Sequence, residues 1–269
     1  MLIWVVTEQV TTHFKKFTKT NFNMKKWLTV VSIIIFIQLL FFVFHNNVLL
    51  PSPLEVIVAL IVQLRQGTIL IDVAMSLERV AIGFLLAALI AIPLGILSGY
   101  NRRLNNIVKP FVELLRPIPP IAWIPIAILL FGIGDGASYF IVFLGAFFPI
   151  FTNAYFGAIS MPVIYRNVAQ SFEIKKSDFI AKILFYFSLP YIFTGLKIGI
   201  GMAWMSLIAA ELIGAQSGLG YFIQLNRLLL RIDNVVVGMI FIGVIGLILT
   251  KSLTILERKI MPWITNQNA

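Results

Sequence analysis

Few side chains in this sequence could do chemistry, and they are scattered. Its two histidines, His13 and His45, stand apart from any Asp/Glu cluster at ligand spacing, and there is no cysteine. Disulfides and thiolate metal sites are therefore excluded, and no nucleophile sits beside a base in a pattern that supports catalysis. Gly132-Ile-Gly134-Asp-Gly136 is glycine-rich but lacks the lysine of a phosphate loop, so it reads as a turn; Gly-x-x-x-x-Gly-Lys-Ser/Thr occurs nowhere. No residue is assigned to a metal or a cofactor. What remains is charge in apolar surroundings. Glu211, and Arg79 with Glu78, lie near the ends of long apolar runs, where an ionisable group is costly and faces protein or a cavity. Two readings are open: an Arg79–Glu211 ion pair holding helices together, or a place beside a solute path, where a positive Arg79 favours an anion by Coulomb attraction. Asn153, with Thr152 and Tyr155, offers hydrogen-bonding groups to a path or to a neighbouring helix. Trp123 and Trp204 either gate a path or serve as packing and interfacial anchors.

The elements that position these residues follow from composition. Hydrophobic residues make up 59% of the 269 and charged residues 12%, about half the charge of an ordinary soluble domain. The class is an all-α polytopic membrane protein. A spanning helix needs ~20 apolar residues, and six segments qualify or come close: 27–44, 80–99, 118–131, 137–159, 191–213 and 235–253. The third opens on Pro117, Pro119, Pro120 and Pro125, which predicts a short or broken helix. A net charge of +10 could suggest nucleic acid, but the cations cluster between apolar runs, as the cytoplasmic side of a bilayer requires.

Those clusters set the orientation. Lys15, Lys16, Lys19, Lys25 and Lys26 precede the first span, Arg102, Arg103, Lys109 and Arg116 follow the second, Arg166, Lys175, Lys176 and Lys182 follow the fourth, and Lys251, Arg258 and Lys259 close the sixth. With six spans all fall on one side, the cytoplasm, and both termini are cytoplasmic in the inner membrane. Residues 1–26 form a polar segment, with Met24 as an alternative start; 27–260 form one permease domain and 261–269 a tail. Pro51-Ser-Pro-Leu-Glu55 predicts a helix start with Ser52 as N-cap, Pro53 in the first turn and Glu55 closing a capping box. The following 56–66 reads as a short helix at the outer interface. Gly195 and Gly199 read as a close helix contact. Segment 160–189 mixes polar residues with Val168, Phe172, Ile174, Phe179 and Ile180, a pattern of short amphipathic helices with a face for a partner.

Several stretches resemble one family. Leu49-Pro-Ser-Pro-Leu-Glu-Val56, Ser76-Leu-Glu-Arg-Val-Ala-Ile-Gly83, Ile92-Pro-Leu-Gly95, Glu113-Leu-Leu-Arg-Pro-Ile-Pro-Pro-Ile-Ala-Trp-Ile-Pro125, Leu189-Pro-Tyr-Ile-Phe-Thr-Gly-Leu-Lys197, Ala209-Ala-Glu-Leu-Ile213 and Ser217-Gly-Leu-Gly220 are similar to the nitrate/sulfonate/taurine branch of binding-protein-dependent ABC importer permeases. The likeness runs over roughly 49–260. Where the family's cytoplasmic loop has Glu-Ala-Ala followed by a glycine, this chain has Asn167-Val168-Ala169 and Glu173, so Ala169 alone keeps the pattern.

The resemblance implies a type I ABC importer permease. It would import a small anion of the nitrate, sulfonate, taurine or bicarbonate class by alternating access, without its own catalytic site. The implied partners are a cytoplasmic ABC ATPase carrying ATP and Mg, an external substrate-binding protein and a second permease copy. The ATPase would bind the loop at Asn167, Ala169, Gln170, Ser171, Phe172, Glu173, Ser177 and Asp178; Arg79, Trp123, Asn153, Trp204 and Glu211 would border the path or its gate. The alternative is an ATP-independent transporter or channel, which would need paired membrane carboxylates or a ring-forming polar motif; Glu211 alone supplies neither.

Overall fold

The computed structural model describes residues 51–262. The expected first span at 27–44, the 1–26 segment with Met24, both histidines and most of the tail lie outside them. The chain divides into two compact units, 1–58 and 59–269; of the first, the described part is the start of helix α1.

That start follows its local chemistry. The Ser52 amide donates to Glu55 Oε2 at 2.8 Å and the Glu55 amide to Ser52 Oγ at 3.2 Å, a reciprocal capping box that satisfies two otherwise orphaned donors. Helix α1 runs Pro53–Gln66 and turns at Gly67, whose φ of 75° suits glycine. Helix α2 follows as Thr68–Tyr100, 33 residues long. Asn101 caps α3, Arg102–Leu115, its side-chain oxygen accepting from the Arg103 amide at 2.9 Å. The proline-rich stretch then forms one 3₁₀ turn, Pro120–Trp123, and the short α4, Ile124–Phe131. After the turn at Gly132 and Gly134 comes α5, Asp135–Ile159, then α6, Val163–Ser171. Helix α7 is continuous from Lys176 to Gly214, with Phe179–Leu184 wound as π-helix and Phe185–Gly214 regular. Helices α8, Leu219–Leu228, and α9, Ile232–Ile260, complete the described residues, which contain no strand.

Among the described residues four helices, α2, α5, α7 and α9, are long and apolar enough to span a membrane, and α3 with 120–131 forms a pair bent by 89°, a fifth span if the pair is taken as one. The second span starts twelve residues before its expected first residue, 80, because Asp72, Glu78 and Arg79 interrupt the apolar run without interrupting the helix. The third is broken where the prolines predict.

Helix directions come from close contacts. On α2, a Cβ on Gly83 would meet Val142, one on Gly95 the Phe151 carbonyl at 2.7 Å, and one on Gly99 Ala158 at 2.6 Å. Contacts advance together along α2 and α5, so these helices run parallel. Two parallel neighbours require the intervening chain to return, so 102–131 crosses back. Helix α7 is antiparallel to α5: Gly195 faces Asn153 and Ile150, whereas Gly145 faces Ser206. Small residues at these points let backbones approach closely, the source of packing energy available in lipid. Helix α9 pairs antiparallel with α7 through Trp204, whose indole Nε1 donates to the Ile242 carbonyl at 3.1 Å, and Lys197, which meets Glu257 at 2.8 Å.

Candidate functional sites at the two ends of the bundle

At the end where α5 begins, Arg79 of α2 is 2% exposed. Its Nε donates to Asp135 at 2.8 Å, Nη1 to Glu211 Oε1 at 2.9 Å and to the Ser217 carbonyl at 2.6 Å, and Nη2 to Ser217 Oγ at 2.7 Å, while also meeting Asp135 at 2.7 Å. A guanidinium has five N–H donors, and all five are engaged. Glu211, 1% exposed, also accepts from Ser76 Oγ at 2.8 and 2.9 Å and from the Gly220 amide at 2.9 Å. The Leu219 amide donates to Ser76 Oγ and the Gly218 amide to Asp72, at 2.9 and 2.8 Å.

The cluster is a clamp. It ties α2, α5 and α7 to the 215–220 connection and satisfies the buried polar groups that lipid cannot. The spacing of Ala209-Ala-Glu-Leu-Ile213 and Ser217-Gly-Leu-Gly220 acquires a physical reason here: a Cβ on Gly218, at φ 105°, would overlap the Glu211 carboxylate, and one on Gly220 would lie 2.6 Å from Glu211 Cβ. The anticipated Arg79–Glu211 ion pair is present. With Asp135 beside it and Asp72 of α2 bonded to the same 215–220 connection, Arg79 faces carboxylates and has its donors engaged within the protein.

The other residues expected along the path are distributed differently. Trp204 is buried between α7 and α9, with Gly246 against its ring. Trp123 is half-buried at the bend, packed on Ile124, Ala127, Ala137, Ile141 and Ala210. Asn153 Nδ2 donates to the Pro149 carbonyl at 2.8 Å and Thr152 Oγ1 to Phe148 at 2.7 Å. Both bond the carbonyl one turn earlier on their own helix rather than a neighbour, the local back-bonding open to short polar side chains inside a helix.

At the opposite end of the bundle stands the 163–178 loop. Ala169 is 4% exposed and packs with Ile96, Ala154, Ala158, Phe179 and Leu184, while the Arg166 guanidinium lies 5.2 Å from the Tyr100 ring centroid. Asn167, Gln170, Ser171, Phe172, Glu173 and Ser177 are exposed, and Asp178 pairs with Lys182 at 2.8 Å. Ile164, Val168 and Phe172, at i, i+4 and i+8, are 62%, 47% and 76% exposed.

Helix α6 ends in a Schellman motif, with Ile174 N–H bonded to the Ala169 carbonyl and Glu173 N–H to Gln170. Its left-handed residue is Glu173, φ 52°. This is the position where the family pattern has glycine, so the loop keeps the turn although it lacks the residue that favours it.

Two polar groupings escaped the sequence reading. Gln63 Nε2 donates to Asn234 Oδ1 at 3.3 Å, and Asn234 Nδ2 to Asn226 Oδ1 at 2.9 Å, all three side chains buried. Lys197 and Glu257 form the ion pair between α7 and α9. Amides and charges inside apolar segments were the available signal.

Comparison with known proteins agrees with this geometry. Residues 91–266 match the family described as binding-protein-dependent transport system inner membrane component. A putative ABC transporter permease protein of Methanocaldococcus jannaschii is 39% identical over 93% of this chain and 97% of its own length. The nitrate import permease protein NrtB of Synechocystis is 38% identical over 71% of this chain and 70% of its own. The bicarbonate transport system permease protein CmpB of Synechococcus elongatus is 40% identical over 69% and 67%. Among solved structures, an inward-facing MetNI methionine ABC transporter matches with a TM-score of 0.62 at 19% identity, over 74% of this chain and 97% of that one. The fold is thus that of a type I ABC importer permease.

Proposed function

This chain belongs to the binding-protein-dependent transport system inner membrane components, the permease subunits of ABC transporters, and from that premise we propose that it moves a small anion inward by alternating access, driven by ATP hydrolysis on a separate subunit. The observation that carries the reading is the exposed apolar row Ile164, Val168 and Phe172 on a helix beyond the spans. Large exposed apolar side chains outside lipid mark a protein contact, and the partner that fits is the ABC ATPase, with ATP and Mg bound on its side. Asn167, Gln170, Ser171, Glu173, Ser177 and Asp178 then rim the contact, and Ala169 seats it on the bundle.

Relatives named for nitrate and bicarbonate support an anion as cargo. The basic clusters put the loop in the cytoplasm and the clamp end outside, where a binding protein delivers solute to a pair of permease copies. Trp123 and Asn153 border the path; Arg79, Glu211 and Trp204 act from behind it by fixing its helices. No bond is made or broken on this chain.

The test is ATPase activity of the chain reconstituted in lipid with the ATPase encoded beside it, with and without its loaded binding protein. Stimulation that is lost on deleting 167–178 is the expected result. Absence of a complex and of stimulation would favour an ATP-independent transporter.

A further inference from the structure

The end of the bundle that holds the clamp carries three further arginines that the clamp does not use. Arg65, Arg227 and Arg231 are exposed, and none makes an ion pair among the described residues. The buried amides of Gln63, Asn226 and Asn234 tie the end of α1 to α8 and to the start of α9. Each arginine lies within one helical turn, in sequence, of one of those amides, so all three cations stand at about one level of the molecule. Arg227 and Arg231 bracket Leu228, Leu229 and Leu230, which are 69%, 57% and 78% exposed.

Leu230 is the least expected of these. It holds the left-handed position of the Schellman turn that ends α8, with φ 57°, where glycine would be free of strain. Being so exposed, it gains little packing within the chain to offset that strain. Strain at an exposed apolar residue points to a contact outside the protein.

The depth of the turn identifies the contact. Helix α9 starts at Ile232, and the 17 residues from Asn234 to Thr250 carry no charge. They rise ~26 Å, slightly less than the ~30 Å of hydrocarbon that a span must cross. Asp233 and Lys251 are thus held near the two hydrocarbon boundaries, and the turn just before Asp233 stands at headgroup level. There the acyl boundary accepts leucines, and a lipid phosphate accepts a guanidinium, whose planar fork bonds two oxygens at once.

We propose that the 227–231 turn is a binding site for an anionic phospholipid: Leu228, Leu229 and Leu230 enter the acyl boundary, and Arg227 and Arg231 take the headgroup phosphate. Arg65 adds positive charge at the same level. Asp233 is the one carboxylate within two residues of the turn, so the local charge stays positive. An acidic protein surface would suit the arginines, but at this depth the leucines already meet acyl chains. The site is independent of the cargo and of which face is cytoplasmic, since both leaflets present phosphates.

The chain has no native cysteine, so Leu229→Cys can carry a single environment-sensitive fluorophore in the full chain, reconstituted with the ATPase in vesicles of phosphatidylcholine with a minority of phosphatidylglycerol. The quenchers are aqueous acrylamide and lipids of either headgroup with a nitroxide on a shallow acyl carbon; Ser171→Cys, exposed on the loop beyond the spans, is the water-facing control. Leu229→Cys should be quenched by lipid and shielded from acrylamide. Nitroxide phosphatidylglycerol should be roughly fivefold more effective per molecule than its phosphatidylcholine counterpart, the factor one basic residue gains at an anionic surface. That preference should vanish on adding Arg227→Gln and Arg231→Gln, and should weaken with salt in the chain that keeps both arginines. Acrylamide quenching equal to the control, or lipid quenching indifferent to headgroup, would overturn the proposal. So would shielding that appears only when the loaded binding protein is added, which would make the turn a protein-docking surface.

Discussion

The two ends of this bundle spend polar residues in opposite ways. Around Arg79 every donor of a charged group has a partner and the ionic side chains at the centre are nearly inaccessible. Around α6 one alanine is buried and almost everything else, polar or apolar, faces outward. A saturated network resists change, since removing one member strands the others. An unsaturated surface is built for a partner. The difference assigns rigidity to one end and exchange of contacts to the other.

Substitutions can break that contrast, beginning with the largest expected effect. Glu211→Ala leaves Arg79 and the Ser76 hydroxyl without their shared acceptor, and the permease should lose ~3–5 kcal/mol, the usual cost of halving a buried pair; thermal unfolding in detergent measures it. Gly218→Ala puts a methyl on the same carboxylate and forces an unfavourable φ, for a loss of roughly 1–3 kcal/mol in the same assay. At the other end Glu173→Gly relieves a left-handed residue and should raise stability by up to about 1 kcal/mol, with ATPase stimulation retained. Leu230→Gly, the matching substitution at the Schellman motif that ends α8, should do the same at the clamp end. Phe172→Asp is the sharpest discriminator: its unfolding should shift by less than about 0.5 kcal/mol, while co-purification with the ATPase is lost. A Phe172 variant that unfolds early, or a Glu211 variant as stable as the parent, would erase the distinction.

How much of this could be read in advance depended on range. The capping box at Ser52–Glu55 and the break at Pro117–Pro125 are local events, and local chemistry predicted both. The Arg79–Glu211 pair was foreseen because two opposite charges in apolar segments have little else to do. Its extension to Asp135 and Ser217 was not, because those lie 56 and 138 residues from Arg79 and sit at helix ends where a polar residue arouses no suspicion. The early start of α2 was missed for a related reason: a hydropathy window penalises Asp72 and Arg79, whereas the fold gives each its own partners, the Gly218 amide for one and Asp135, Glu211 and Ser217 for the other. Asn153 and Thr152 taught the converse, since groups that looked free for a neighbouring helix were absorbed by their own.

The 33 residues of α2 amount to a rod of ~50 Å, against hydrocarbon ~30 Å thick. Even leaning at about 40°, the steep limit for spanning helices, it needs only ~39 Å to cross. At least ~11 Å must therefore stand clear of the acyl chains, a mast of about two turns. That excess lies at the depth of the headgroups, which bring the bilayer to ~40–45 Å, so the end of this helix can carry a charge such as Asp72 where acyl chains do not reach it.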